Sequence, residues 1–159
     1  MNREIFTFGY EGLSVERFVA RLRSAMIETV IDVRANPLSR KPGLSKRALA
    51  EHLSNAEIKY VHLVEMGCPK SVRDRYKADR DWTAYTRGFL DYIADQEEAV
   101  ARVASIAEQS RSCLICFEAD FNYCHRTFVA RAAAPALNAN VVHLTTIASI
   151  VDRIARVAA

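Results

Sequence analysis

Apolar positions along the chain follow two patterns that alternate with each other. Short β-branched or apolar runs bounded by turn residues are typical of buried strands, whereas apolar residues three or four apart are typical of helices. The strand pattern fits five segments: Ile5 to Phe8, Thr29 to Val33, Ile58 to Val64, Ser112 to Phe117 and Val141 to Leu144.

Helical spacing follows the predicted strands. Ser14 is a favourable N-cap for a first helix. Its apolar stripe consists of Val15, Phe18, Val19, Leu22 and Met26. Ser45 is predicted to cap a second helix that runs through Leu53.

The middle and the end of the chain are also predicted to be helical. One bent helix or two are indicated by the stripe Trp82, Tyr85, Phe89, Tyr92, Ile93, Val100, Val103 and Ile106. A helix from about Tyr123 is expected to end or bend at Pro135. A last helix, capped by Thr145 or Thr146, has the inner face Ile147, Ile150, Val151 and Ile154.

This alternation predicts an α/β fold. We expect a three-layer sandwich with a mostly parallel sheet of about five strands, covered by helices on both faces. The 159 residues have the length of one domain, and no linker or internal repeat divides them. The sequence therefore predicts a single domain over residues 1–159.

Composition narrows the class of protein. Half of the residues are hydrophobic and 26% are charged, which argues against a disordered chain. The longest apolar runs are far shorter than the roughly 20 residues that span a bilayer, so no membrane association is expected. The formal charge of +3 is too mild to identify a nucleic-acid-binding protein by itself.

The first residues resemble no signal peptide, because they have neither an apolar core nor a small-residue cleavage site. The expected location is therefore the cytoplasm. The four cysteines should stay reduced there. They are interpreted as buried thiols, metal ligands or reactive groups.

Polar and reactive residues follow four of the predicted strands. They are Tyr10 and Glu11, then Asp32 and Arg34, then His62, Glu65 and Cys68, and finally Cys116, Glu118, Asp120, Cys124, His125 and Arg126. Ligands of open α/β sheets bind beyond the carboxyl ends of the strands. We therefore expect these side chains to meet in one site.

The sharpest local feature is Cys124-His125-Arg126. With Asp120 or Asn122 as the N-cap, Cys124 is predicted in the first turn of a helix. The helix dipole and a neighbouring arginine lower the pKa of a thiol in that position. His125 is suited to proton transfer. The triplet favours a nucleophilic thiol or an anion site, and the alternative is a half-buried cysteine beside a surface arginine.

Metal binding is a competing interpretation. Cys113 and Cys116 have the spacing of a ligand pair, but residues three apart in a strand point to opposite faces of a sheet. A mixed site stays open, although its spacing matches no recognised zinc pattern. Its donors are Cys116, Glu118, Asp120, Cys124 and His125.

Residues 34–47 form a basic segment. It carries Arg34, Arg40, Lys41, Lys46 and Arg47. A loop containing Ser39 follows a strand end and leads into a helix N-terminus, which suits phosphate recognition. The segment is not a Walker loop. The alternative is an ordinary solvated basic face.

Two interpretations are open for several other residues. Glu11 and Asp32 could pair with Arg34 or Arg126 in a structural or in a catalytic role. The aromatic stripe that begins at Trp82 favours core packing or a homodimer face over a platform for bases.

Five blocks of sequence span nearly the whole chain. They are Thr7-Phe8-Gly9-Tyr10-Glu11-Gly12, Asp32-Val33-Arg34-x-Asn36-Pro37-x-Ser39-Arg40, Pro42-Gly43-x-Ser45-Lys46, Tyr60-x-His62-Leu63-x-Glu65-Met66-Gly67 and Cys116-Phe117-Glu118-x-Asp120-x4-Cys124-His125-Arg126. In this order they resemble the domain-of-unknown-function 488 family, with Phe8 in place of the more usual Ile. The resemblance implies a compact α/β domain whose shared site contains these blocks, and it implies no reaction.

Three functional hypotheses follow. The first is a small cytoplasmic enzyme that acts on an anionic substrate, either phosphate-bearing or a nucleotide. Its catalytic residues are Cys124, His125, Glu118 and Glu11, and its substrate-binding residues are Tyr10, Asp32, Arg34, Ser39, Arg40 and Arg126. In this hypothesis Cys124 is the nucleophile or His125 is the acid/base, and Glu11 or Glu118 orients the histidine.

The second hypothesis is a binding module for nucleic acid or a nucleotide that uses residues 34–47. The third is a metal-supported site at Cys116, Cys124 and His125. No other cofactor is expected.

Overall fold

Strands and helices alternate along the chain, which confirms the α/β class. The computed structural model describes residues 3–154, so the predicted domain limits, residues 1 and 159, lie outside the described residues. The strands are β1 (Arg3–Gly9), β2 (Thr29–Asp32), β3 (Lys59–His62), β4 (Ser112–Cys116), β5 (Ala139–Leu144) and β6 (Ser149–Val151). The helices are α1 (Val15–Ser24), α2 (Lys46–Asn55), α3 (Lys70–Asp79), α4 (Trp82–Ala94), α5 (Glu97–Gln109) and α6 (His125–Ala133). Short 3-10 turns cover Val64–Met66, Phe121–Tyr123 and Ala134–Leu137.

The strands form one sheet in the order β3-β2-β4-β1-β5-β6. Neighbouring strands are parallel except for the antiparallel pair β5 and β6. One apolar cluster lies between the sheet and helices α1 and α2, and another lies between the sheet and helices α4 to α6. Cys113 belongs to the first cluster and Cys116 to the second, so the two thiols lie on opposite faces, as predicted.

The predicted last helix is wrong. Ser149–Val151 forms the edge strand β6, so the sheet has six strands. Thr145 closes a tight turn instead of capping a helix, because its Oγ1 accepts a hydrogen bond from the Ala148 amide at 2.9 Å. Asp152, which follows β6, is buried and accepts a hydrogen bond from His143 at 2.7 Å. This contact holds the residue that follows β6 against β5.

Smaller differences concern the ends and the number of elements. Helix α1 ends before Met26, which is 70% exposed and has a φ of 58°. Two separate helices, α4 and α5, carry the aromatic and aliphatic stripe, and its members Tyr85, Phe89 and Ile93 are buried in the core. Helix α3 is an additional element without a buried residue. Within residues 3–154, no helix has the length and apolar character needed to cross a membrane.

Candidate functional site

A cavity of about 680 Å³ lies at the carboxyl edge of the sheet. Its walls include Tyr10 after β1, residues 34–41 after β2, Cys68 beyond β3 and residues 116–118 at the end of β4. Helix α3 adds Arg73, Tyr76 and Lys77, its C-cap residue Arg80 adds a further side chain, and α6 adds His125. The strand ends therefore converge on one cavity.

The cavity brings together six of the ten predicted catalytic and substrate-binding residues. They are Tyr10, Arg34, Ser39, Arg40, Glu118 and His125. Cys124 is 1% exposed and lies against the floor of the cavity, beside Cys116 and His125. Asp32, Arg126 and Glu11 do not line it.

The cavity floor contains the Cys116 thiol and the His125 imidazole, and the Cys124 thiol is buried beside them. The potential ligand atoms of Cys116, Cys124 and His125 all lie within 4.8 Å of one another. His125 Nε2 donates to the Val33 carbonyl oxygen at 2.7 Å, and its Nδ1 lies 3.9 Å from the Cys116 sulfur. Because a carbonyl can only accept, Nε2 carries a proton and Nδ1 is left to interact with the sulfurs.

Cys124 is itself the N-cap residue of α6, so the prediction that it lies in the first helical turn, after an N-cap at Asp120 or Asn122, is wrong. Asp120 caps the preceding 3-10 turn, where its carboxylate accepts a hydrogen bond from the Asn122 amide at 2.9 Å. The Cys124 side chain makes no capping hydrogen bond to the helix. Its sulfur is available to the neighbouring thiol and imidazole.

The surroundings of Cys124 favour its thiolate. Burial alone raises the pKa of this thiol, but a hydrogen bond from Cys116 and the positive charges of Arg126 and His125 hold the pKa well below its usual value. Burial lowers the pKa of His125, and the contact with Cys124 more than reverses that effect. The pair is therefore stabilised as thiolate and imidazolium.

Two neighbours of Cys124 hold their protons more strongly than usual. The hydrogen bond to Cys124, together with burial, raises the pKa of Cys116 well above its usual value. Burial and the negative charge of Cys124 raise the pKa of Glu118 to about 7. The Cys116 sulfur also lies 3.5 Å from a Glu118 carboxyl oxygen, so the two groups with raised pKa values are adjacent.

A buried network around Arg34 forms another part of the wall. Its Nε and Nη2 donate to the Asp32 carboxylate at 2.9 and 2.8 Å. Its Nη1 donates to the Tyr10 hydroxyl at 3.2 Å and to the Leu44 carbonyl at 2.7 Å. Burial lowers the pKa of Arg34, and the bonds to Asp32 outweigh this effect and raise it.

This network changes the roles expected of its members. Asp32 is fully buried and also accepts a hydrogen bond from Tyr60, so direct contact with substrate is incompatible with its placement. Arg34 lines the cavity, but most of its donors are engaged within the protein. Both residues position Tyr10 and the loop that follows β2.

Arg126 and Glu11 hold the loop after β4. Arg126 is fully buried and donates to the backbone carbonyls of Glu118 and Ala119, and its Nε has no partner within residues 3–154. Glu11 accepts a hydrogen bond from the Ala119 amide at 2.9 Å. The structure places Arg126 outside the cavity lining, and its contact with substrate stays a prediction. The role of Glu11 or Glu118 in orienting the histidine also stays a prediction, and in the structure His125 Nε2 is bonded to the Val33 carbonyl.

Sequence reasoning does not identify the cations of α3. Arg73, Lys77 and Arg80 line the cavity, although an exposed charged helix resembles a solvated surface. The spacing of three and four residues is the signal that could have found them, because such residues share one helix face. Two cations on one face of α3 and a third at its C-cap form a candidate anion-binding wall of the cavity.

The cavity is strongly cationic. Six basic residues line it, and Glu118 is the one carboxylate among its lining residues in the described chain. Lys41 donates to the Leu13 carbonyl and Arg73 to the Cys68 carbonyl, which fixes their positions. The side chains of Arg40 and Lys77 make no hydrogen bond or ion pair within the described range, so they are available to a ligand.

The basic segment 34–47 does not act as one surface. Arg34 is buried, and Arg40 and Lys41 face the cavity. Lys46 interacts with His62 at 3.3 Å, away from the cavity lining, and Arg47 is exposed on α2. The segment contributes part of its charge to the cavity and does not form a continuous basic face.

Comparison with known proteins identifies a family and gives no assigned reaction. No curated protein and no solved structure matches the chain. The family model described as domain of unknown function DUF488 matches residues 14–133, a range that contains α1 to α6 and most of the residues lining the cavity. The chain belongs to the DUF488 family.

Proposed function

We propose that this protein is a small cytoplasmic enzyme that acts on an anionic, phosphate-bearing substrate. The observation that carries the proposal is one cavity with cationic walls and a thiolate–imidazolium pair against its floor. A reducing compartment suits it, because all four cysteines are buried free thiols.

The walls supply anion binding. Arg40 comes from the loop after β2 and Lys77 from α3, so two available cations reach the cavity from separate elements. Because these cations are already in position in the free protein, they can stabilise a bound phosphate group. They can also stabilise the negative charge that develops in the transition state. Ser39 adds a hydroxyl group to the same loop.

The floor supplies the chemistry of a hydrolase or transferase. In the first step, the Cys124 thiolate attacks phosphorus, an S–P bond forms and the bond to the leaving oxygen breaks. The leaving oxygen takes a proton from His125 or from Glu118, both of which line the cavity. Water, or the hydroxyl group of an acceptor, then attacks phosphorus and gives its proton back to the same His125 or Glu118, while the S–P bond breaks and releases the thiolate.

The burial of Cys124 sets a condition on this scheme. The residue is 1% exposed, whereas Cys116 and His125 line the cavity surface. Nucleophilic attack therefore requires the floor to open. If the floor stays closed, the Cys124 thiolate acts by keeping His125 protonated, and His125 is the acid.

The test compares turnover by matched cysteine variants. A panel of phosphate esters is incubated with the protein, and released phosphate and new products are measured. We expect Cys124→Ser to abolish turnover and Cys113→Ser, on the opposite face of the sheet, to retain it. Arg40→Gln should raise KM. Full activity in Cys124→Ser contradicts the proposal, as does an absence of turnover with every ester.

A metal-supported site is a second candidate, favoured by one observation. Within residues 3–154, Cys116, Cys124 and His125 form the group of three donors close enough to hold one ion. Two thiolates and an imidazole suit zinc, and the bond from His125 Nε2 to a carbonyl is the outer contact that orients a metal-binding histidine. A bound ion would act as a Lewis acid at the cavity floor.

Elemental analysis distinguishes the candidates. Protein purified without chelator should contain about one zinc per chain if the site is metal-supported, and Cys116→Ala should lose it. Metal well below one per chain, with turnover unaffected by chelator, rejects this candidate and leaves the thiolate mechanism.

A further inference from the structure

The cavity is larger and more apolar than a phosphate group requires. Its volume of about 680 Å³ accommodates a ligand of many more atoms. Besides the cations, its lining contains the rings or apolar side chains of Tyr10, Leu38, Tyr76, Tyr85 and Phe117. A substrate that fills it has a large apolar part as well as a negative charge.

Phe117 is the exposed ring of this lining. It follows the last residue of β4 and is 41% exposed, although an aromatic side chain is normally buried. The Tyr10 ring contacts it edge-on, with centroids 5.5 Å apart, and Phe18 supports Tyr10 in the same way at 6.0 Å. Phe117 is therefore an aromatic surface supported from the core and open to the cavity.

Cations lie near the apolar surfaces on both sides of the cavity. Leu38 is 69% exposed on the loop that carries Arg40 two residues later. At the end of α3, the guanidinium of the C-cap residue Arg80 lies over the Tyr76 ring, 5.5 Å from its centroid, and Lys77 is the next residue after Tyr76. A ligand with a flat ring and a phosphate group can use both kinds of contact at once.

We infer that the substrate is a nucleoside monophosphate, with its base against Phe117 and its phosphate between Arg40 and Lys77. This inference rests on the proposed function and names its substrate class. Stacking on an aromatic side chain is favourable for every base, because each base has a π face. The six basic residues line one cavity of about 680 Å³, a volume that suits a single nucleotide more than a nucleic acid strand.

Calorimetric titration with a graded set of ligands tests the inference. The probes are the four common ribonucleoside 5′-monophosphates, ribose 5-phosphate, adenosine and inorganic phosphate. At least one nucleotide should bind at least about fivefold more tightly than ribose 5-phosphate, because stacking contributes at least that factor. Adenosine, which has no phosphate, should bind more weakly than its monophosphate.

Three variants assign the contacts. Phe117→Leu keeps an apolar side chain but removes the ring. In this variant the affinity for nucleotides should fall to within about twofold of the affinity for ribose 5-phosphate. The affinity for ribose 5-phosphate should be the same as in the wild type. Lys77→Gln should weaken both ligands by a similar factor. Arg47→Gln, an exposed residue of α2 outside the cavity, is the control and should change neither.

The outcomes separate this inference from the proposed function. Equal affinity for ribose 5-phosphate and all four nucleotides overturns the nucleotide inference and leaves the phosphate site in place. An absence of binding by every phosphate compound overturns both. Binding of single-stranded oligonucleotides, with none of the mononucleotides, also overturns the inference, in favour of a nucleic-acid surface.

Discussion

Cys116 and Cys124 have the same side chain, yet their surroundings shift the two pKa values in opposite directions. Both thiols are buried, which disfavours the ionised form. Cys124 has Arg126 and His125 as positive neighbours and accepts a hydrogen bond from Cys116, so the negative charge settles on Cys124. The reactivity of one residue therefore depends on three neighbours, all of which can be changed separately.

Alkylation across pH measures the charge on Cys124. Reaction of ordinary thiols with iodoacetamide slows about tenfold for each pH unit below a pKa near 8.5. We expect the Cys124 rate to fall less steeply with decreasing pH than the rate of an ordinary thiol, because its pKa is lowered. Peptide mass spectrometry gives the rate at each cysteine.

Cys113 is the internal control for this experiment, because burial raises its pKa and it lies on the other face of the sheet. In denaturant, all four cysteines should react alike. A Cys124 rate that follows pH as an ordinary thiol does contradicts the assigned thiolate. A Cys124 that reacts only after unfolding assigns it the charge-holding role and excludes it as the nucleophile.

Glu118 links the site to folding stability. Its pKa is raised from 4.5 to about 7, so the folded protein binds this proton more tightly than the unfolded chain does. The free energy of unfolding should therefore fall as pH rises from about 4.5 to 7, by about 1.4 kcal/mol at most for each unit of the shift. Above that range the contribution has been lost.

The variant Glu118→Gln removes this titration. Urea denaturation at a series of pH values should show a smaller decrease in stability between pH 5 and pH 7 for the variant than for the wild type. Glu11→Gln is the control, because its carboxylate is exposed on the loop. Identical pH profiles for the wild type and Glu118→Gln contradict the raised pKa.

Among the elements, β1 and the loop after β4 approach each other closely at Gly9. A Cβ atom at this position would lie 1.8 Å from the Glu118 carbonyl oxygen. The Arg126 guanidinium donates a hydrogen bond to the same oxygen, so both Gly9 and Arg126 restrict the position of the loop after β4. Because Gly9 has no side chain, the backbone of Glu118 can approach β1 closely. This close approach in turn sets the position from which the Glu118 side chain extends.

Gly9→Ala tests this dependence. We expect a loss of about 1–3 kcal/mol in the free energy of unfolding, because backbone atoms of the loop must move to admit the methyl group. Gly88→Ala is the matched control, since its Cβ meets only the Val72 side chain at 3.2 Å and alanine favours the helix. A Gly9→Ala protein with wild-type stability and wild-type Cys124 reactivity contradicts the assigned role.

The sequence predicts the helices and strands that bury apolar residues. It does not predict the elements whose conformation depends on polar or long-range contacts. Strands β1 to β5 follow apolar runs, because parallel strands are covered on both faces. Helix α3 has no buried residue and therefore no apolar stripe to detect. Residues 149–151 have helical spacing but form a strand, because the buried Asp152 is bonded to His143 and Arg131. Such long-range contacts are not visible in a local pattern.

The same limit applies to the candidate site. The convergence of strand ends is predictable from the alternation of strands and helices, and it correctly brings Tyr10, Glu118 and His125 together. The sequence does not show which charged groups face the cavity and which hold the walls. Arg126 and Asp32 are fully buried, whereas Lys77 is exposed and lines the cavity.

Over the whole molecule, charge is distributed unevenly. The formal net charge is only +3, yet six basic residues line one cavity. A cleft lined by one sign of charge concentrates the field and attracts anions from solution. The charge that matters for binding is therefore that of the cavity and not that of the protein as a whole.

The salt dependence of binding distinguishes an enclosed anion site from a nucleic-acid surface. The affinity of a protein for a nucleic acid held by six to ten phosphate contacts falls by a factor of about 10³–10⁵ between 50 and 200 mM salt. A single phosphate group in the cavity should lose only a few-fold over the same range, because few counterions are released and the site is partly shielded from solvent. Titrations of a mononucleotide and of a single-stranded 20-mer at these two salt concentrations measure how steeply each affinity falls with salt, which is the slope for that ligand.

Two variants locate the binding. Arg40→Gln should flatten the mononucleotide slope, and Arg47→Gln should leave it unchanged, since only Arg40 lines the cavity. The opposite outcome is a steep slope for the 20-mer that Arg47→Gln and Arg40→Gln reduce equally. That result would locate binding on the exposed basic residues of segment 34–47 outside the cavity.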